Sequence, residues 1–193
     1  MTWGPEMLSA ILHEPLVVWT LRSFLAALFL TAALSKLTAI DEFHGVVRNF
    51  RLLPDGLARP VAMVLPVVEM AIAAGLLIGP LARPAALVAA ALLAVFGLAI
   101  AVNVLRGRTQ IDCGCFRNGM KQRIGWATVA RNGVLTALAL GAGALLAQGR
   151  AASAGDIATG LAAGLTLTLL YMGAEMLGGF VAMNNRASST KGR

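Results

Sequence analysis

Hydrophobic and polar positions fall in long blocks along this chain of 193 residues. Apolar runs cover about 16–34, 60–79, 84–105, 128–147 and 157–183. At about 1.5 Å per residue, each predicts a helix long enough to cross a hydrocarbon core of about 30 Å. The gap at 35–59 is too long for a simple turn. In it Phe43, Val46, Val47 and Phe50 recur at helical spacing, opposed by Asp41, Glu42, Arg48 and Arg51. That pattern predicts a short amphipathic helix on the membrane surface, ended by Pro54 and Gly56. The fold expected is all-α: a polytopic membrane helical bundle with a four-helix core and a fifth, C-terminal transmembrane helix. Residues 1–183 would form one transmembrane domain and 184–193 an unstructured polar tail. Small residues at four-residue spacing mark faces for close helix packing: Ala71, Gly75 and Gly79; Gly133, Ala137 and Gly141; Gly160 and Gly164.

Composition supports the bilayer as solvent. Hydrophobic residues make up 58% of the chain and charged ones 13%, with a mean hydropathy of +0.77. A soluble domain carries about 25% charged residues. The formal charge of +7 gathers in the gaps between apolar runs, with no basic stripe interleaved with aromatics, which excludes nucleic-acid binding. No Lys or Arg precedes Leu16, so a cleaved signal peptide is not expected and the first run stays as a span.

Five spans put the 35–59 gap, the gap after 105 and the C-terminal tail on one side. Those segments carry twelve Lys/Arg, whereas the N-terminus and the other two gaps carry two. The positive-inside rule places the twelve in the cytoplasm.

The chain's only cysteines lie in the gap after 105, within Asp112-Cys113-Gly114-Cys115-Phe116. A disulfide needs Cα atoms about 4.4–6.8 Å apart, so a pair two residues apart must bend. Gly114 permits the bend. So small a ring is strained, and strain raises the reduction potential, making an exchanger rather than a staple. Arg106, Arg108, Arg117, Lys121 and Arg123 favour thiolates and Asp112 opposes them. Three uses stay open: redox exchange, inert thiols, or a metal site. The last has only His44 and Asp112 as helpers where zinc takes about four ligands.

Ionisable residues inside the membrane are costly and often functional. Glu69 sits at the middle of the second run, Arg131 and Asn132 near the start of the fourth, and Glu175 in the second half of the fifth. Depth along the runs predicts a buried cluster of Arg131 with Glu69 or Glu175 beneath the cysteines. Lys36, just past the first run, is expected to snorkel outward.

These residues carry a family resemblance. Ser35-Lys36-Leu37, Phe50-Arg51-Leu52-Leu53-Pro54, Pro66-Val67-Val68-Glu69, Arg106-Gly107-Arg108 before Asp112-Cys113-Gly114-Cys115-Phe116, and Arg131-Asn132 occur in this order. The chain resembles the MauE family of methylamine-utilisation membrane proteins, related to the DoxX-like four-helix membrane group. One departure is Arg117, where the family usually has Gly. The resemblance implies a multi-pass protein of the bacterial inner membrane that assists maturation of the methylamine dehydrogenase small subunit beside a thioredoxin-like periplasmic protein. It is an accessory protein there. If it is an enzyme, it is a thiol-disulfide oxidoreductase with Cys113 and Cys115 as the exchanging pair. No cofactor is required by the sequence, though a quinone would serve as electron acceptor. A non-redox scaffold and a quinone- or lipid-binding respiratory subunit are the alternatives.

A periplasmic client requires a periplasmic cysteine segment, against the charge count. Alkaline phosphatase fused within that segment is therefore expected to be active. An inactive fusion, with a fluorescent cytoplasmic reporter at the same site, would place the pair inside and remove direct exchange.

Overall fold

The computed structural model describes residues 14–109, 124–147 and 151–190. Among them the chain forms six α-helices and no strand: α1 Pro15–Leu37, α2 Ile40–Phe50, α3 Asp55–Leu77, α4 Ala82–Leu105, α5 Trp126–Leu146 and α6 Ala154–Thr190. A 3₁₀ turn, Gly79–Leu81, joins α3 to α4. All except α2 are long and apolar enough to span a membrane, so the chain is a polytopic helical membrane protein.

The core is built by four helices. Phe24, Leu25, Leu28 and Phe29 of α1 meet Ile72, Ala73 and Leu76 of α3, Ala86, Ala89, Ala90 and Leu93 of α4, and Leu135, Ala139 and Ala142 of α5. Many of these are alanines, which lets the backbones approach closely. The outward faces, among them Val67, Val95, Leu98 and Val134, are exposed as lipid requires.

α6 lies outside this core, against α1 and with little direct contact to α5. Gly160 and Gly164 make its contact face. A Cβ on Gly160 would come 2.5 Å from Cβ of Trp19, and one on Gly164 would collide with Ser23 and the Phe24 backbone. The Ser23 hydroxyl sits 2.8 Å from the Gly160 carbonyl. Tyr171 meets Phe24 edge-on at 6.1 Å between centroids. α6 starts earlier than its apolar run suggests because Ser153 and Asp156 form a capping box. Ser153 Oγ accepts from the Asp156 N–H at 3.1 Å, and the Ser153 N–H donates to Asp156 Oδ2 at 2.9 Å. At its other end α6 continues to Thr190, where the sequence suggested an unstructured tail.

Two expectations about faces change. Gly133, Ala137 and Gly141 are exposed. The inward face of α5 is Thr128, Asn132, Leu135, Ala139, Ala142 and Gly143. An Ala/Gly-rich helix carries small stripes on several sides, and the polar pair Thr128 and Asn132, which lipid rejects, selects which side turns in. α2 is amphipathic as expected, but its apolar side covers protein. Phe43 and Phe50, two turns apart, are buried, and Phe50 packs with Ile100 of α4 and Ile124 before α5.

Arg22, inside the first span, is 5% exposed. Its Nε donates to the Leu76 carbonyl at 2.7 Å and Nη2 to that of Leu77 at 3.1 Å. These carbonyls end α3 and have no partner within the helix, so the cation both satisfies them and opposes the dipole. Trp19 covers the guanidinium, 3.8 Å from ring centroid to Cζ.

Gly164→Leu is expected to push α6 off α1 and cost about 1–3 kcal/mol. Gly133→Leu, on the exposed face, should stay within about 0.5 kcal/mol of the parent. Thermal unfolding of the two variants in detergent measures the difference.

Candidate functional site

The polar residues marked in the apolar runs come together on the half of the bundle that carries α2. Lys36 lies in the last turn of α1. Its Nζ is 2.8 Å from Glu69 Oε1 and 3.0 Å from Oε2, and 3.3 Å from the Ala32 carbonyl. Both side chains are nearly fully buried, at 2% and 4% exposure. Phe43 of α2 roofs the ammonium, with its ring centroid 5.4 Å from Nζ, within the range where an aromatic face attracts a cation.

The expectation that Lys36 snorkels outward is thus corrected. Side chains leave a helix tilted towards its N-terminus. Lys36, close to the C-terminal end of α1, therefore points back into the membrane, and its four-carbon stem delivers the ammonium to Glu69.

Arg131 of α5 reaches α6, with Nη1 2.7 Å from Glu175 Oε2. This pair is less enclosed, at 12% and 24% exposure, and it bridges two helices that otherwise make little contact. Asn132, next to Arg131, is 4% exposed and donates to the Thr128 carbonyl of its own helix at 3.0 Å. Lys36, Glu69, Arg131, Asn132 and Tyr171 all border one cleft of about 50 Å³, whose other walls include Phe29, Leu92 and Phe96. An apolar cavity that takes a benzene ring measures roughly 150 Å³, about three times the size of this cleft. No group of three His, Cys, Asp or Glu comes together among the described residues.

Asp112, Cys113, Gly114, Cys115 and Phe116 lie outside the described residues. The points where their segment leaves and rejoins the bundle are described. α4 ends in a Schellman motif. The Gly107 N–H donates to the Val104 carbonyl at 3.0 Å and the Arg108 N–H to that of Asn103 at 2.9 Å, with Gly107 at φ +70° as the motif requires. The chain returns at Ile124, which is 2% exposed and packs on Phe50 and Ile100. Both roots meet the C-terminal end of α2, the second through this packing and the first through Arg108, whose Nη1 lies 3.4 Å from the Phe50 carbonyl.

Two polar features escaped the sequence reading. They are Arg22 and the fully buried Asn103. Each has a readable signal. Arg22 is a cation at the end of the bundle where α3 terminates, and Asn103 is an amide in an otherwise apolar run.

Removing one member of a buried ion pair strands the other. Lys36→Met is expected to cost about 3–5 kcal/mol, and the double variant Lys36→Met/Glu69→Leu to recover most of it. Chemical or thermal unfolding in detergent measures both.

A family model described as Methylamine utilisation protein MauE matches residues 14–148. Curated proteins named Methylamine utilization protein MauE are similar over nearly the whole chain. The one from Paracoccus versutus is 70% identical over 183 residues, covering 95% of this chain and 98% of that protein. The one from Paracoccus denitrificans is 59% identical, covering 94% and 98%. The one from Methylorubrum extorquens is 50% identical, covering 96% and 100%. No solved structure matches. With the family model and whole-length relatives in agreement, the chain belongs to the MauE family of methylamine utilisation proteins.

Proposed function

We propose that this protein is an inner-membrane accessory factor for maturation of the methylamine dehydrogenase small subunit. It acts with a thioredoxin-like periplasmic partner through Cys113 and Cys115. The observation that carries this reading is where the cysteines fall. The chain's only two thiols occupy the one inter-helix segment whose roots are both fastened to α2, in a member of a methylamine-utilisation family. A membrane mount that presents one reactive pair on a fixed base suits exchange with a partner better than storage of inert thiols.

In the exchange, a thiolate of one protein attacks the disulfide of the other. A mixed disulfide forms and resolves, so one disulfide passes one way and two electrons with two protons pass the other. Oxidation of the pair after turnover needs a two-electron acceptor, either a bilayer quinone or a further redox protein. The polar residues Lys36, Glu69, Arg131, Asn132 and Glu175 serve this reading as the internal framework that holds the helices beneath the base.

The variant Cys113→Ser/Cys115→Ser, expressed at the parent level, is expected to lower mature small subunit in methylamine-grown cells at least tenfold. Immunoblotting of the periplasmic fraction reads this. Normal levels would leave a non-redox scaffold for the partner as the correct reading.

A further inference from the structure

The corner between α2 and α3 is basic on its outer side. Arg48 in the last turn of α2, Arg51 just after it, Arg59 near the start of α3 and Arg106 just after α4 are all exposed. Two contacts bring Arg106 to this corner. The Arg108 guanidinium joins the Phe50 carbonyl at 3.4 Å to Asn103 Oδ1 at 3.3 Å, and Phe50 packs on Ile100 of α4. Asp55 is the one carboxylate in the sequence from Arg48 to Arg59, so the corner keeps a positive charge. Asp41 and Glu42 belong to the first turn of α2, about 9 Å or more from Arg48 along the helix axis.

Arg48 and Arg106 stand at helix C-termini, where the dipole favours a cation. Arg51 and Arg59 have no such reason to be basic. Arg51 takes φ +48° and ψ +40°, the left-handed region where glycine is the usual residue after a helix and a long side chain is disfavoured. A backbone conformation kept at a cost points to a use for the side chain that it carries. Arg59 lies towards the positive pole of α3, which gives a cation no help.

The apolar neighbours of these arginines say what lies opposite them. Leu52, Leu53 and Leu57 are exposed, and Leu105, beside Arg106, is 73% exposed. Leucines interleaved with arginines escape water when they enter the acyl region while the guanidinium groups stay among the headgroups. Trp126 opens α5 two residues after Ile124 of the same junction and is also exposed, as tryptophans at headgroup level are. An acidic soluble protein would leave the leucines in water. The anion available at this depth is the phosphate of a lipid, and guanidinium forks pair with phosphate oxygens in bidentate fashion. A headgroup without a cation of its own suits the corner better than phosphatidylcholine, whose choline the arginines repel.

We propose that Arg48, Arg51, Arg59 and Arg106 form a site for the phosphate headgroup of an anionic phospholipid, with Leu52, Leu53 and Leu57 set among its acyl chains. The site stands whether or not the cysteines exchange.

The test uses the full chain reconstituted in phosphatidylcholine bilayers at low salt. Spin-labelled phosphatidylglycerol and spin-labelled phosphatidylcholine are compared by the fraction of each that electron spin resonance shows to be immobilised at the protein. The parent is expected to prefer the phosphatidylglycerol by about threefold or more and to lose most of that preference at high salt. Arg51→Gly should lower the preference at least about twofold, and Arg48→Gln/Arg51→Gly should abolish it. Glycine suits the left-handed backbone at this position, so Arg51→Gly should unfold no sooner than the parent in detergent. Arg83→Gln, which removes one exposed charge near the start of α4 at the other end of the bundle, should leave the preference in place. Equal immobilisation of the two lipids by the parent overturns the proposal and leaves the arginines to an acidic protein surface. A preference that survives in the double variant also overturns it. So does one that Arg83→Gln lowers as much as Arg51→Gly, because it then follows net charge and not the corner.

Discussion

The Lys36–Glu69 pair sets the terms for the rest of the bundle. In hydrocarbon an unmatched charge is costly, so the end of α1 must lie beside the middle of α3, and α2 must fold back far enough for Phe43 to cover the ammonium. Once α1 and α3 are in register at this point, Arg22, fourteen residues earlier on α1, lies at the end of α3 and caps it. The same helix pair is therefore pinned at both ends by cations of α1, one paired with a carboxylate and one with carbonyl oxygens. Replacing a buried ion pair by apolar side chains is often neutral or stabilising. What the pair supplies is therefore specificity of register, which a core of alanine and leucine lacks.

Three arginines perform related work at different depths. Arg22 closes the end of α3, Arg108 closes the end of α2 onto α4, and Arg131 ties α5 to α6. Each meets oxygen atoms of another helix. The basic residues that dominate the topology count thus divide into two kinds. Some are loop charges free to answer to the membrane potential and lipid headgroups, and others are committed to internal oxygen atoms. Lys36 and Arg108 belong to the second kind. Their charge is partly answered within the protein, so the bias they add to the positive-inside count is weaker than their number suggests.

Much of the architecture was legible in the sequence because the bilayer turns hydropathy into helix length. The five long helices follow from the runs, whereas small-residue spacing marked the Gly160 and Gly164 contact face together with a Gly133, Ala137 and Gly141 face that is exposed. Helix ends were less legible, since α6 begins at a capping box outside its apolar run and α2 hides its phenylalanines in protein instead of lipid. Depth counting offered Glu69 or Glu175 as the partner of Arg131, and the structure pairs it with Glu175. It missed Lys36 for Glu69 because residue number records where a Cα sits and not the backward tilt of the side chain. Arg108 was visible only as one of several loop cations, since its partners, Asn103 and the carbonyl of Phe50, are distant or lie in the main chain.

The position of α6 has a further consequence. The family match ends at residue 148, before α6 begins, and α6 packs along α1 through a glycine seam while one partly exposed ion pair ties it to α5. α6 is therefore an outrigger braced at two places, along the face of α1 and at Arg131 of α5.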